Sequence, residues 1–193
     1  MTKLRRPTDD IVIDIETMGT DNDAVIVSIG ALIFNRADTP GKFIDQIEMK
    51  IDVENQVGRV VDPSTVLWWM RPDMEDARKA AFTKMDRRLR LGLALKNLDD
   101  FIAKHKINEC WGCSPSFDMS ILQHAYRQHK QEFPVPFWKW SCIRTVESFF
   151  YGKNTRKPGG ENWLDGTAHD ALDDCKMEAQ VIQKCYAVTV ASI

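Results

Sequence analysis

No run of apolar residues in this chain is long enough to cross a bilayer, which excludes a helical membrane span. There is no large excess of one charge either: 26 Lys and Arg stand against 28 Asp and Glu, a net charge of −2. The overall field therefore does not draw in nucleic acid, and any such binding must come from a local basic patch or from bound cations. The basic start, Met1 to Arg6, is not followed by an apolar signal core with a cleavage site, and the five cysteines are few and odd in number. Together these predict reduced thiols and a cytoplasmic setting. Internal repeats and low-complexity tracts are lacking as well. What remains is ordinary: 193 residues, 44% hydrophobic and 28% charged, the make-up of one globular domain over residues 1–193.

The chain is organised around Asp10-Ile-Val-Ile-Asp14-Ile-Glu16-Thr-Met-Gly19. Its β-branched apolar run reads as a strand buried on both faces, in the middle of an α/β sheet. Asp14 and Glu16 break the run. Side chains two apart on a strand share a face, with Cα atoms about 7 Å apart. Two buried carboxylates on one face repel each other unless a proton or a cation lies between them. Oxygen ligands favour Mg²⁺ or Mn²⁺. The alternative at this point is a frayed strand end in water, with no role for either acid.

Two further apolar segments, 24–35 and 42–53, follow across short turns at 17–23 and at Pro40-Gly41. Three strands so joined predict an antiparallel meander with the first strand central. Helical patterns dominate afterwards, so the class is α/β, a central mixed sheet flanked by helices. Asp62-Pro63 marks a helix start, Asp as N-cap and Pro at the first helical position, for a helix over 64–70. It carries Trp68-Trp69, whose side chains point about 100° apart and so are not expected to be buried alike: either one indole belongs to the core and the other faces the site, where it can stack on a base, or both are packing residues, the commoner case. A short helix is expected over 72–81, a basic stretch over 85–90, an amphipathic helix over 91–104 and a strand over 109–113.

Ser114-Pro115 repeats the N-cap and proline pattern and predicts a helix over 115–129. Asp118 lies three, four and seven positions before Ile121, Leu122 and Ala125, on the buried stripe. Interaction with the helix dipole would account for an acid here, but it does not need the inward face, and a metal ligand does. Residues 140–145 read as a short strand, 146–151 as a helical turn and 152–160 as a basic loop, either gripping substrate or merely solvated. The last helix follows Thr167-Ala-His169-Asp-Ala-Leu-Asp-Asp174, with Asp170 as N-cap and an end near 190. Its buried stripe reads Leu172, Cys175, Ala179, Ile182 and Tyr186. Asp173 falls with Lys176, Gln180 and Lys184 on the solvent face, and Asp174 falls at the edge of the buried stripe. His169, just outside the helix, can overhang whatever Asp174 binds and take a proton from water near neutral pH.

Four inward acids and one His define a chemistry. Two carboxylate-held metals about 4 Å apart suit in-line phosphoryl transfer, and the metals invert the local charge so that an anionic phosphodiester can enter.

Asp14-Ile-Glu16-Thr, Ser116-Phe117-Asp118-Met-Ser-Ile-Leu122 and His169-Asp-Ala-Leu-Asp-Asp174 resemble, in order and spacing, the three exonuclease motifs of the histidine-bearing (DEDDh) branch of the DEDD superfamily. The resemblance implies a ribonuclease H-like fold and 3′–5′ exonuclease activity releasing nucleoside monophosphates from DNA or RNA. It implies two Mg²⁺ or Mn²⁺ ions held by Asp14, Glu16, Asp118 and Asp174, Asp14 bridging, with His169 as general base. Single-stranded nucleic acid or a 3′ end would be the partner, with Thr17, Met18, Gly19, Trp68 and Phe117 as contacts, and a homodimer is expected. The stretch at 64–69, the Trp111-Gly-Cys113 approach to Asp118 and Ile143-Arg144-Thr145 also resemble phage- and prophage-type exonucleases and a small mycobacterial exoribonuclease group. The family's usual Asn before the second-motif Phe is missing; Cys113 and Ser114 stand there, which affects a secondary contact rather than the metal site.

Cys110-Trp-Gly-Cys113 has C-x-x-C spacing but no second pair to complete a zinc site, and reads as a strand end before it reads as zinc-binding or redox-active. Two other functions remain open to such a chain: a non-catalytic nucleic-acid-binding module on the same fold, and a polymerase-associated proofreading subunit.

Overall fold

The computed structural model describes residues 9–82, 88–151 and 166–191. Five strands form one sheet in the order β3-β2-β1-β4-β5, comprising β1 (Asp9–Thr17), β2 (Ile26–Phe34), β3 (Asp45–Lys50), β4 (Ile107–Gly112) and β5 (Trp140–Cys142). β1 is central, as its double-sided apolar run requires. β1–β2 and β2–β3 pair antiparallel, giving the expected meander, while β1–β4 and β4–β5 pair parallel. Asp14 is opposite Gly30 and Glu16 opposite Ser28, and the register shifts just after Glu16.

The helices are α1 (Pro63–Trp69), α2 (Glu75–Phe82), α3 (Leu91–Ile102), α4 (Asp118–Gln128), α5 (Ile143–Tyr151) and α6 (Ala171–Ala191). One sheet face, with Ile11, Ile13 and Ile15, packs on Leu95, Leu98 and Phe101 of α3 and on Ile121, Leu122 and Tyr126 of α4. The other face, with Val12 and Leu32, packs on Cys175, Ala179 and Ile182 of α6. By strand alternation Asp14 and Glu16 share that second face with Val12. A smaller cluster of Trp69, Met74, Ala77 and Ala81 closes over Val27 beyond the register shift. Among the described residues no helix is long and apolar enough to cross a membrane.

The Asp62 cap forms as expected, its carboxylate accepting from the Ser64 amide at 2.9 Å. The Ser114-Pro115 start does not. The Ser114 carbonyl accepts from the Phe117 and Asp118 amides at 2.7 and 3.2 Å, so residues 114–117 make a turn and α4 begins at Asp118. Proline 115 fits the turn as readily as a first helical position. The strand expected over 140–145 is only Trp140–Cys142, because α5 takes over at Ile143. The segment 72–81 splits into a 3₁₀ turn, Pro72–Met74, and α2. On α6, Leu172 and Tyr186 are half-buried rather than core, while Gln180, expected in solvent, is 6% exposed. The basic loop 152–160 and residues 85–87 of the basic stretch lie outside the described residues.

Candidate active site

The site lies on the α6 face at the end of β1. Glu16 is 8% exposed and Thr17 is still paired in the strand, so the acids do not sit on a frayed end. The first turn of α6 rests directly on Gly30, the strand neighbour of Asp14. That contact carries Asp174 over the β1 acids. Asp170 caps the helix: its Oδ1 accepts from the Asp173 amide at 3.2 Å and its carbonyl from the Asp174 amide at 2.9 Å. Glu16, His169 and Asp174 each present a ligating atom within 4.8 Å of the other two. Asp173 points elsewhere, accepting from the Thr167 amide and pairing with Lys176 at 2.8 Å.

Asp118 arrives from the other layer. Pairing of β1 with β4 ends at Val12 and Trp111, and beyond it the Ile15 amide turns to the Asp118 carboxylate, joined by the Ser114 amide and Asp118's own. The helix start uses the Ser114 carbonyl, and the Ser114 amide holds the Asp118 carboxylate, rather than the hydroxyl capping the helix.

His169 has φ of +63°, the left-handed region that costs a non-glycine residue on the order of 1 kcal/mol. Three contacts hold it there. Its amide donates to Asp174 Oδ2 at 3.0 Å, the next amide, of Asp170, donates to the Thr167 carbonyl at 3.0 Å, and the Trp68 ring stands edge-on to the imidazole at 4.9 Å. Trp69 beside it is core, 2% exposed, its Nε1 donating to the Thr17 carbonyl at 3.0 Å. Trp68 is half-buried and packs on the same cluster, so both indoles serve packing, while the Trp68 ring also meets His169. Lys50 on β3 adds a cation: its Nζ lies 2.5 Å from Glu48 and 3.1 Å from Asp170, and it draws Glu16 toward its ionised form.

Asp14 is half-buried, but its Oδ2 is sealed from water and has no hydrogen-bond donor among the described residues. Four residues earlier on the same face, Asp10 is fully buried, and there Arg36 grips both oxygens at 2.6 and 2.7 Å while Trp111 Nε1 donates at 3.2 Å. One strand face thus holds a carboxylate completed by the protein and another left incomplete. Burial holds Asp14 well above the ordinary carboxylate range, and Asp118, Glu16, Glu178 and Asp174 push it further. Glu16 is raised likewise, by burial and then by Asp174 and Asp118. Burial pushes Asp118 up to about 7 even against its amide donors. All-oxygen donors, mutual repulsion and an unsatisfied buried oxygen fit a hard divalent cation.

The five residues expected from the motifs converge here. The expected contact residues divide. Trp68 borders the site. Thr17 is 6% exposed and its hydroxyl is spent on the Gly19 carbonyl at 2.6 Å. Met18 packs against the Trp69 cluster, and Phe117 against the core under α4. Gly19 sits where a Cβ would press on Ala24 at 3.1 Å. Two residues went unread in the sequence, Lys50 and Glu178. Lys50 is visible only through the β2–β3 register. Glu178 had a signal, for it lies three residues after Cys175 and four before Ile182, an acid on the apolar stripe.

Residues 9–186 match the family model of the 3′–5′ exoribonuclease Rv2179c-like domain. The exodeoxyribonuclease of Enterobacteria phage T4 is 28% identical over 209 residues, covering 94% of this chain and 90% of that protein. The nuclease domain of 3′hExo, a DEDDh family member solved bound to rAMP, superposes with a TM-score of 0.66 at 15% identity, over 93% of this chain and 92% of that one. Exonuclease I, in a structure that suggests how its processivity is achieved, superposes at 0.63 and 13% identity, over 95% of this chain and 43% of that one. At such identities the two structures speak to the fold.

Proposed function

We infer the working of the site from one premise: the chain belongs to the 3′–5′ exoribonuclease Rv2179c-like domain family. It is accordingly a metal-dependent 3′–5′ exonuclease on a ribonuclease H-like fold. On this reading Asp14, Glu16, Asp118 and Asp174 hold two Mg²⁺ or Mn²⁺ ions, and the substrate is the 3′ end of single-stranded nucleic acid. The observation that carries it is Asp14, a carboxylate set among other acids whose sealed Oδ2 has neither a donor nor a cationic partner among the described residues.

Bound cations would supply Lewis acidity and neutralise the phosphodiester's charge. The rest falls to the chain. His169, fixed in place by Asp174 and Trp68, accepts the proton of the attacking water on a ring nitrogen. The water oxygen bonds to phosphorus, the bond from phosphorus to the 3′ oxygen breaks, and that oxygen takes up a proton, leaving a shortened strand and a nucleoside 5′-monophosphate. The Ile15 and Ser114 amides hold Asp118 in position for its ion. Trp68 offers a ring beside His169, where a terminal base can stack.

The test is a gel time course on 5′-labelled single-stranded DNA and RNA with Mg²⁺, with Mn²⁺ and with EDTA, beside Asp118→Asn. A ladder shortening from the 3′ end, dependent on metal and absent in the variant, is expected. Running both strands settles the sugar, since the family model carries the name of an exoribonuclease and the phage relative that of an exodeoxyribonuclease. Metal-dependent cleavage that persists in Asp118→Asn overturns the residue assignment.

A further inference from the structure

One turn along α6 from Asp174 lies Glu178, an acid outside the four motif carboxylates. It is 7% exposed, and its Oε2 is sealed from solvent with no donor among the described residues. The thiol of Cys113 donates to the carboxylate. Otherwise the groups that bear on it most are acids: Asp118, Asp174 and, from α5, Glu147. Glu178 in turn bears on Asp14. Two sealed, donor-less carboxylate oxygens, Asp14 Oδ2 and Glu178 Oε2, therefore belong to one group of interacting acids.

Packing gives no reason for an acid here. Cys175, Ala179 and Ile182 already bind α6 to the sheet, and a residue of the same shape without charge would fill the place with none of the repulsion. Asp10 shows how this fold completes a carboxylate it keeps for structure, with a bidentate Arg36. Glu178 has a weak thiol donor instead.

We propose that Glu178 is a fifth carboxylate of the metal centre, a positioning residue whose uncompensated oxygen raises the site's affinity for a divalent cation. This rests on the reading that Asp14, Asp118 and Asp174 hold the ion. Cys113 acquires a role with it: its thiol sets the orientation of the Glu178 carboxylate. Groups that support a metal's direct ligands are worth roughly 10- to 100-fold in affinity.

The experiment titrates Mn²⁺ alone into the metal-free full chain by calorimetry and reads melting temperature with and without Mn²⁺. Wild type is compared with Glu178→Gln, Glu178→Met and Asp14→Asn. Expected for Glu178→Gln are Mn²⁺ binding weakened by about 10-fold or more, a smaller Mn²⁺-induced rise in melting temperature, and a metal-free protein melting no lower than wild type. A merely structural acid would lower the metal-free melting temperature and leave the Mn²⁺ increment alone. Glu178→Met keeps the test decisive if the Gln variant does not fold. Affinity within about twofold of wild type in either folded variant overturns the inference. If wild type takes up no Mn²⁺, or Asp14→Asn leaves its affinity unchanged, the metal-centre reading itself fails and the inference falls with it.

Discussion

A Cβ placed on Gly30 would stand 2.4 Å from the carbonyl oxygen of Ala171, closer than any side-chain carbon can approach. The first turn of α6 thus touches the backbone of β2 directly beside Asp14. Gly30→Ala has to push the helix start outward, because the opposing atoms are backbone and cannot rotate away. Overpacking of this kind costs about 1–3 kcal/mol. The larger effect falls on the site, since Asp170, Asp174 and His169 ride on that turn. Activity is expected to drop by about 100-fold, as misplacement by an ångström can cause, while the chain stays folded. Melting temperature and turnover measured on one preparation check both parts, and full activity with an unchanged melting temperature would exclude the contact as a determinant.

His169 separates backbone strain from chemistry. Its φ of +63° is better suited to Asn than to His. His169→Asn is therefore expected to fold with stability within about 0.5 kcal/mol of wild type while losing roughly 10²–10⁴-fold in rate, the usual worth of a general base. Single-turnover hydrolysis with a chemical melt is the measurement. A variant that keeps its rate would remove His169 from proton transfer.

Asp10 and Asp14 should respond in opposite ways to loss of charge balance. Arg36→Met strands a fully buried Asp10 and is expected to destabilise the chain by about 3 kcal/mol, with Mn²⁺ affinity unchanged. Asp14→Asn relieves repulsion at a donor-less oxygen, so the metal-free protein should melt at or above wild type while Mn²⁺ binding is lost. Denaturation midpoints with and without Mn²⁺ distinguish the two, and a shared pattern would refute the contrast.

Much of this was legible because it rests on local signals. The β-branched run around Asp14 fixed a central strand, short turns fixed the meander, and each motif acid interrupted an apolar pattern. The parts that were not legible depend on partners distant in sequence. Ser114-Pro115 reads as a helix cap, yet the Ser114 amide is drawn to the Asp118 carboxylate and the helix starts three residues later. Gln183 is fully buried on α6 because its amide binds the Asn35 and Lys42 carbonyls and accepts from Gly41, all in the β2–β3 turn. Lys50 reaches Asp170 only through the sheet register. Glu178 carries the same signal as Asp118, an acid on an apolar stripe, but no motif covers it.

The raised acids make a prediction about pH. Asp14, Glu16 and Asp118 all bind protons more tightly in the folded chain than in the unfolded one, burial being the main cause, with Asp118 pushed up to about 7. Wherever the folded state binds more protons, stability falls as pH rises. The contribution of these groups is therefore complete below the ordinary carboxylate range and is lost as pH climbs through the folded values. Metal-free protein should show a falling melting temperature between about pH 5 and about pH 8. Saturating Mn²⁺ should flatten or reverse that slope, because a cation favours the ionised carboxylates and binds only the folded site. Asp118→Asn should shallow the metal-free slope, since one titrating group is gone. A metal-free melting temperature that rises across this window would mean that these acids are already compensated by the protein, and the case for a cation at Asp14 would fail with it.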